Sequence, residues 1–168
     1  MGKKKDQEQI QTGGYLISGL PQKTPKGFFV IRFEGNNLKL IEEAGAFRRK
    51  EYQSFLLDIA KIISIDLITQ DNLVEKQNST VGRGVAGAIL FGPIGAIIGT
   101  SSAGSTTTTE KTGVIVISYY GKDEQDIKTI NLSVWEDGMK YVRNFITYFQ
   151  KHYRGEFQEQ NENGDIIL

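Results

Sequence analysis

The chain contains no cysteine, which excludes disulfides, thiolate metal ligands and cysteine nucleophiles together. It has a single histidine, His152, so a zinc site built on imidazoles lacks ligands and a Ser-His-Asp triad would have to form around one helix end. It also lacks charge of either sign in excess. Twenty basic residues face twenty acidic ones, whereas nucleic-acid binding normally demands a basic surface, so no nucleic-acid partner is expected. The start of the chain, Met1-Gly2-Lys3-Lys4-Lys5-Asp6, is basic like a signal peptide, but polar residues follow where an apolar stretch should stand. No secretion signal is expected, and a cytoplasmic location with scope for membrane association is the default. Catalytic residues, metal ligands and cofactor-binding residues are all expected to be absent, and the chain is read as a non-enzyme.

What the chain has in quantity is glycine, at nineteen residues, six of them at positions 82, 84, 87, 92, 95 and 99. They punctuate an aliphatic stretch, residues 81–100, and from Gly84 to Thr109 there is no ionisable side chain. Such a segment must be buried somewhere, and its missing side chains let another backbone come close. Gly82-Arg83-Gly84-Val85-Ala86-Gly87 spells G-x-G-x-x-G, but no buried strand precedes it and a polar run stands where the ribose-binding acid should be, so a dinucleotide site is not expected. As one helix, residues 85–98 would reach about 21 Å at 1.5 Å per residue, short of a hydrocarbon core of about 30 Å. Gly92-Pro93 would also break it. Two short arms hinged there, with a Gly95-x-x-x-Gly99 face, fit a hairpin better. Its candidate contact residues are Gly84, Gly87, Leu90, Phe91, Gly92, Pro93, Ile94, Gly95, Ile98 and Gly99. Arg83 at its base is a candidate anion contact, or simply the point where the apolar run ends. Three surfaces could receive the hairpin: its own domain, a sister subunit or lipid.

Elsewhere the pattern is that of successive strands. Strand-like runs occupy residues 14–19, 27–34, 38–42, 54–57, 62–70, 112–120 and 127–132, and Gly35-Asn36-Asn37 supplies hairpin-turn chemistry. An antiparallel sheet of seven strands is predicted. A single helix follows, with Ser133-Val134-Trp135-Glu136 fitting a capping box and Trp135, Met139, Val142, Phe145, Ile146, Phe149 and Tyr153 forming an apolar stripe. Residues 1–13 and the acidic tail 154–168 are expected to be flexible.

This order of elements, with an L-x-D-I-x-x-I turn motif around Asp58-Ile59-Ala60-Lys61, resembles the pleckstrin-homology (PH) superfold in the form of small bacterial PH-like proteins. The resemblance covers residues 14–153. It implies an α+β, mainly β fold: a bent seven-stranded antiparallel barrel capped by the C-terminal amphipathic helix. The Gly/Ala-rich hairpin and Ser/Thr linker at 81–109 would be an insertion before the sixth strand, foreign to the usual pattern. What the resemblance implies for function is a ligand, lipid or partner surface rather than chemistry. Lys23, Lys26 and Arg32 lie where lipid-binding PH domains hold inositol phosphates, but their spacing does not reproduce that motif and Glu34 is close. Asp58 and Asp66 are read as turn and solvent-face residues. The leading expectation is an interaction module that forms a homo-oligomer or docks a protein partner through the hairpin. The alternatives are a shallow membrane anchor and a protein that sequesters a small anion or host factor.

Overall fold

The computed structural model describes residues 10–44, 50–72 and 112–154. The hairpin expected at 81–109, the acidic tail beyond Arg154 and most of the N-terminal segment lie outside the described residues. The elements run β1 (Gln11–Ser18), β2 (Phe28–Glu34), β3 (Asn37–Ala44), β4 (Lys50–Asp58), β5 (Ile62–Ile68), β6 (Thr112–Tyr120), β7 (Ile127–Trp135) and helix α1 (Glu136–Phe149). All seven strands join one antiparallel sheet in the order β4-β3-β2-β1-β7-β6-β5.

Local chemistry sets the turns. Gly35 has a φ of 60° while no non-glycine residue among the described residues has a positive φ, so the two-residue turn closed by the Glu34–Asn37 pair follows the type II′ pattern that suits hairpin twist. Between β4 and β5 lies a single 3₁₀ turn, Ile59–Lys61, whose Ala60 amide donates to Asp58 Oδ1 at 2.9 Å while the Ile59 amide donates to the Asn36 carbonyl at 3.0 Å. Asp58 is thus a capping residue. β4 and β5 are the two outer strands of the sheet. A ladder between them, which would close the expected barrel, is not among the pairings of the described residues.

Alternation divides the sheet into two faces. Phe29, Ile31, Leu38, Leu40, Ile65, Leu67, Ile115, Ile117, Ile130 and Leu132 point to one side and form a single buried cluster. Since strands from both ends of the sheet contribute, the sheet bends around this inner face. Helix α1 covers it with Met139, Val142, Phe145 and Phe149, all buried. Phe33 stacks on Phe145 with ring centroids 4.5 Å apart and an interplanar angle of 9°, and Tyr153 closes the stack at 4.9 Å.

The start of the helix differs from expectation. No side-chain cap is made at Trp135, because β7 continues through it: Ser133 pairs with Val114 and Trp135 with Thr112. The Ser133 hydroxyl donates to the Tyr15 carbonyl, at 3.4 Å, instead of capping the helix. Glu136 and Asp137 still place negative charge in the first turn, where it complements the helix dipole. Trp135 also leaves the apolar stripe. It is 52% exposed, on the outer face. After Phe149 the helix loosens into a π turn, Gln150–Arg154.

Candidate functional site

The outer face of the sheet carries an apolar band where solvated residues would be expected. Along one row Ile41 lies opposite Val30, and Val30 opposite Gly13. In the next, Phe28 lies opposite Tyr15, Tyr15 opposite Ser133, Ser133 opposite Val114, and Val114 opposite Ile68. Ile41, Val30, Val114, Val116 and Ile68 are buried, yet none belongs to the inner-face cluster.

In the middle of this band is a groove of about 620 Å³. Its floor is the glycine pair Gly13-Gly14 of β1, and its walls include Tyr15, Phe28, Trp135 and Tyr141. Two consecutive glycines inside a strand mark a close approach of backbones. A Cβ on Gly13 would stand 2.5 Å from the Phe29 carbonyl oxygen, and one on Gly14 2.5 Å from that of Ser133. Tyr15 meets Phe28 edge to face at 5.1 Å. Trp135 and Tyr141, 52% and 55% exposed, stand as aromatic walls around a nearly bare floor. Such a groove offers shape and apolar surface. Asp137 is its one carboxylate among the described residues.

A second constellation occupies the loop between β1 and β2. Glu42 points to the inner face and is fully buried, and its carboxylate collects donors from that loop. Oε1 accepts from the Thr24 amide at 2.6 Å, the Thr24 hydroxyl at 2.7 Å and the Lys23 amide at 2.9 Å. Oε2 accepts from Gln53 Nε2 at 2.6 Å and again from the Lys23 amide at 3.0 Å. Burial pushes this carboxyl upward, but the bonds from Thr24, Lys23 and Gln53 together outweigh it and hold Glu42 below the usual carboxylate range. The backbone donors that might have met an anion are therefore spent on a carboxylate. This geometry opposes phosphate recognition by the Lys23–Lys26 loop.

The remaining sequence candidates scatter. Arg83, Gly84, Gly87, Leu90, Phe91, Gly92, Pro93, Ile94, Gly95, Ile98 and Gly99 all lie outside the described residues. Arg32 lies on the outer face opposite Lys39, away from the exposed Lys23 and Lys26. Asp66 sits opposite Val116. His152 stacks on Tyr148 at 3.9 Å, its Nδ1 3.0 Å from the Tyr148 carbonyl oxygen. It is a helix-end residue. The groove and the Glu42 cluster are not among the residues expected from sequence. The consecutive glycines in a strand-like run were the available signal for the first, and a glutamate in the alternating series Leu38-Leu40-Glu42 for the second.

Seven antiparallel strands followed by one C-terminal helix are the element order of a PH-like fold. Residues 15–140, more than half of the chain, match the family model described as a glycine zipper containing PH domain. The chain belongs to this family. No curated protein and no solved structure matches it. The matched PH domain begins in β1 and ends inside α1, so it takes in the residues between β5 and β6 but leaves out the groove's floor, Gly13-Gly14, and its wall Tyr141. PH-like domains are generally non-catalytic. Among the described residues, no helix is long and apolar enough to cross a membrane.

Proposed function

We propose that the protein is a non-catalytic PH-like interaction module that assembles with copies of itself, or docks a protein partner, through the glycine-rich segment at residues 84–99. The observation that carries this reading is the match to a glycine zipper containing PH domain, combined with an uncharged stretch from Gly84 to Thr109 set between two paired strands. Small residues spaced as Gly95-x-x-x-Gly99 allow two segments to approach until backbones touch, and the association then rests on packing rather than charge.

The test is sedimentation of the full chain over a concentration series, beside Gly95→Leu. The wild-type chain is expected to associate, and the variant to keep its circular dichroism while its dissociation constant rises at least tenfold. A wild-type chain that stays monomeric throughout would overturn self-assembly. Attachment to a membrane is the second reading, favoured by the same lack of charge. Flotation with liposomes of zwitterionic and anionic lipid separates the two. Equal recovery of the full chain and a chain lacking residues 85–98 in the lipid fraction excludes a lipid anchor, whereas recovery of the full chain alone supports one.

A further inference from the structure

The groove over Gly13-Gly14 holds a charge that the fold does not answer. Among the described residues, Asp137 is the only charged side chain lining it, and its carboxylate makes neither an ion pair nor a hydrogen bond. The first-turn amides of a helix would by themselves favour an anion. Here Glu136 and Asp137 both stand in that turn, so a further negative charge is repelled and a positive one is attracted.

Helix geometry sets that carboxylate beside a ring. Asp137 and Tyr141 are four residues apart on α1 and therefore neighbours on its surface. Gly138 also lines the groove, and having no side chain it leaves unfilled the space between Trp135 and Tyr141, three residues to either side of it. Across the floor, Tyr15 and Phe28 meet edge to face at 5.1 Å. Tyr141 already draws one cation: Lys140 Nζ, which does not line the groove, stands 4.9 Å from its ring centroid, within the range at which a ring face attracts positive charge. Four rings and one free carboxylate around about 620 Å³ make a site of small-molecule size. A primary ammonium must satisfy three donors, and the site has a single carboxylate. A quaternary ammonium has no donors to satisfy, and its methyl groups suit aromatic walls.

We propose that this groove binds a small soluble quaternary ammonium compound, with its methyl groups against Trp135 and Tyr141 and its charge answered by Asp137. The site goes beyond the proposed interaction module and is independent of how residues 84–99 act: a chain that fails to self-associate still binds the cation.

Trp135 is the only tryptophan of the chain, so its fluorescence reports on the groove directly. The full chain is titrated with choline at constant ionic strength, beside the neutral isostere in which carbon replaces the nitrogen. A saturable change in emission is expected with choline, and binding at least tenfold weaker with the isostere. Asp137→Asn is expected to weaken choline binding at least fivefold and leave the isostere unchanged, and Tyr141→Leu to weaken choline as well. Glu136→Gln, in the same helical turn but outside the groove, is expected to bind like the wild type, which separates a contact from the general field of the helix end. If Asp137→Asn loses its circular dichroism, the comparison of choline with its isostere on the wild-type chain decides alone. No saturable response to choline in emission or calorimetry, equal affinity for the isostere, or equal losses in Asp137→Asn and Glu136→Gln would each overturn the site. Attachment to phosphatidylcholine vesicles without a response to soluble choline would overturn it too, because the soluble ligand is the one proposed.

Discussion

Glu42 is the residue whose chemistry reaches furthest through the fold. One carboxylate orders a loop by accepting from two backbone amides, a hydroxyl and a side-chain amide. Replacing it with alanine strands those donors in a buried place, and a loss of about 3 kcal/mol is expected in chemical denaturation. Its ionised form is favoured in the folded chain, so its contribution is complete well above the ordinary glutamate value of 4.5 and fades as pH falls through the lower folded value. The urea midpoint should therefore drop below about pH 4.5, and Glu42→Gln should flatten that part of the profile. An unchanged acid limb in Glu42→Gln would assign the drop to other carboxylates. In the linear pattern only its place in the alternating series Leu38-Leu40-Glu42 separates this glutamate from a solvated one. Its partners come from residues 23–24 and 53, and only the bend of the sheet brings them together.

At the level of elements, the helix divides what was readable from what was not. Its period of three and four residues placed Met139, Val142, Phe145 and Phe149 on the core correctly, because an amphipathic stripe is a local property. Trp135 continued the same spacing and was misplaced, since strand pairing with β6 claims it first and turns its side chain to the outer face. The seven strands were legible from β-branched runs and turn residues. Their ends were not, as with β4, whose polar first half pairs with β3 only through tertiary context. The two aromatic residues give a direct contrast. Phe145→Ala, emptying a fully buried position, is expected to cost roughly 3–5 kcal/mol. Trp135→Ala should stay within about 0.5 kcal/mol, as exposed substitutions usually do. Similar losses in both would return Trp135 to the core.

For the whole molecule, the outer face is what sequence could not reveal. Tyr15, Val30, Val114 and Trp135 come from four different strands and meet only through the order β2-β1-β7-β6, so no local window holds the band. The placement of residues 73–111 within a pair of neighbouring strands has a kinetic consequence. β6 and β7 are joined by a short turn, in which the Gly121 amide reaches the Asp126 carbonyl at 2.6 Å, and β2 and β3 by two residues, whereas β5 must find β6 across a long intervening stretch. Closing a long loop raises the entropic barrier to that encounter, but only logarithmically, at about 0.6 kcal/mol per doubling of length. β5 should then dock late, and Ile65→Val should speed unfolding while leaving the refolding rate nearly unchanged. An equal effect on both limbs of the chevron would place β5 in the nucleus. Because added length costs so little there, the β5–β6 junction is the place where this fold can accommodate evolutionary change in its cargo, lengthening or shortening the segment while the order in which the remaining strands assemble stays the same.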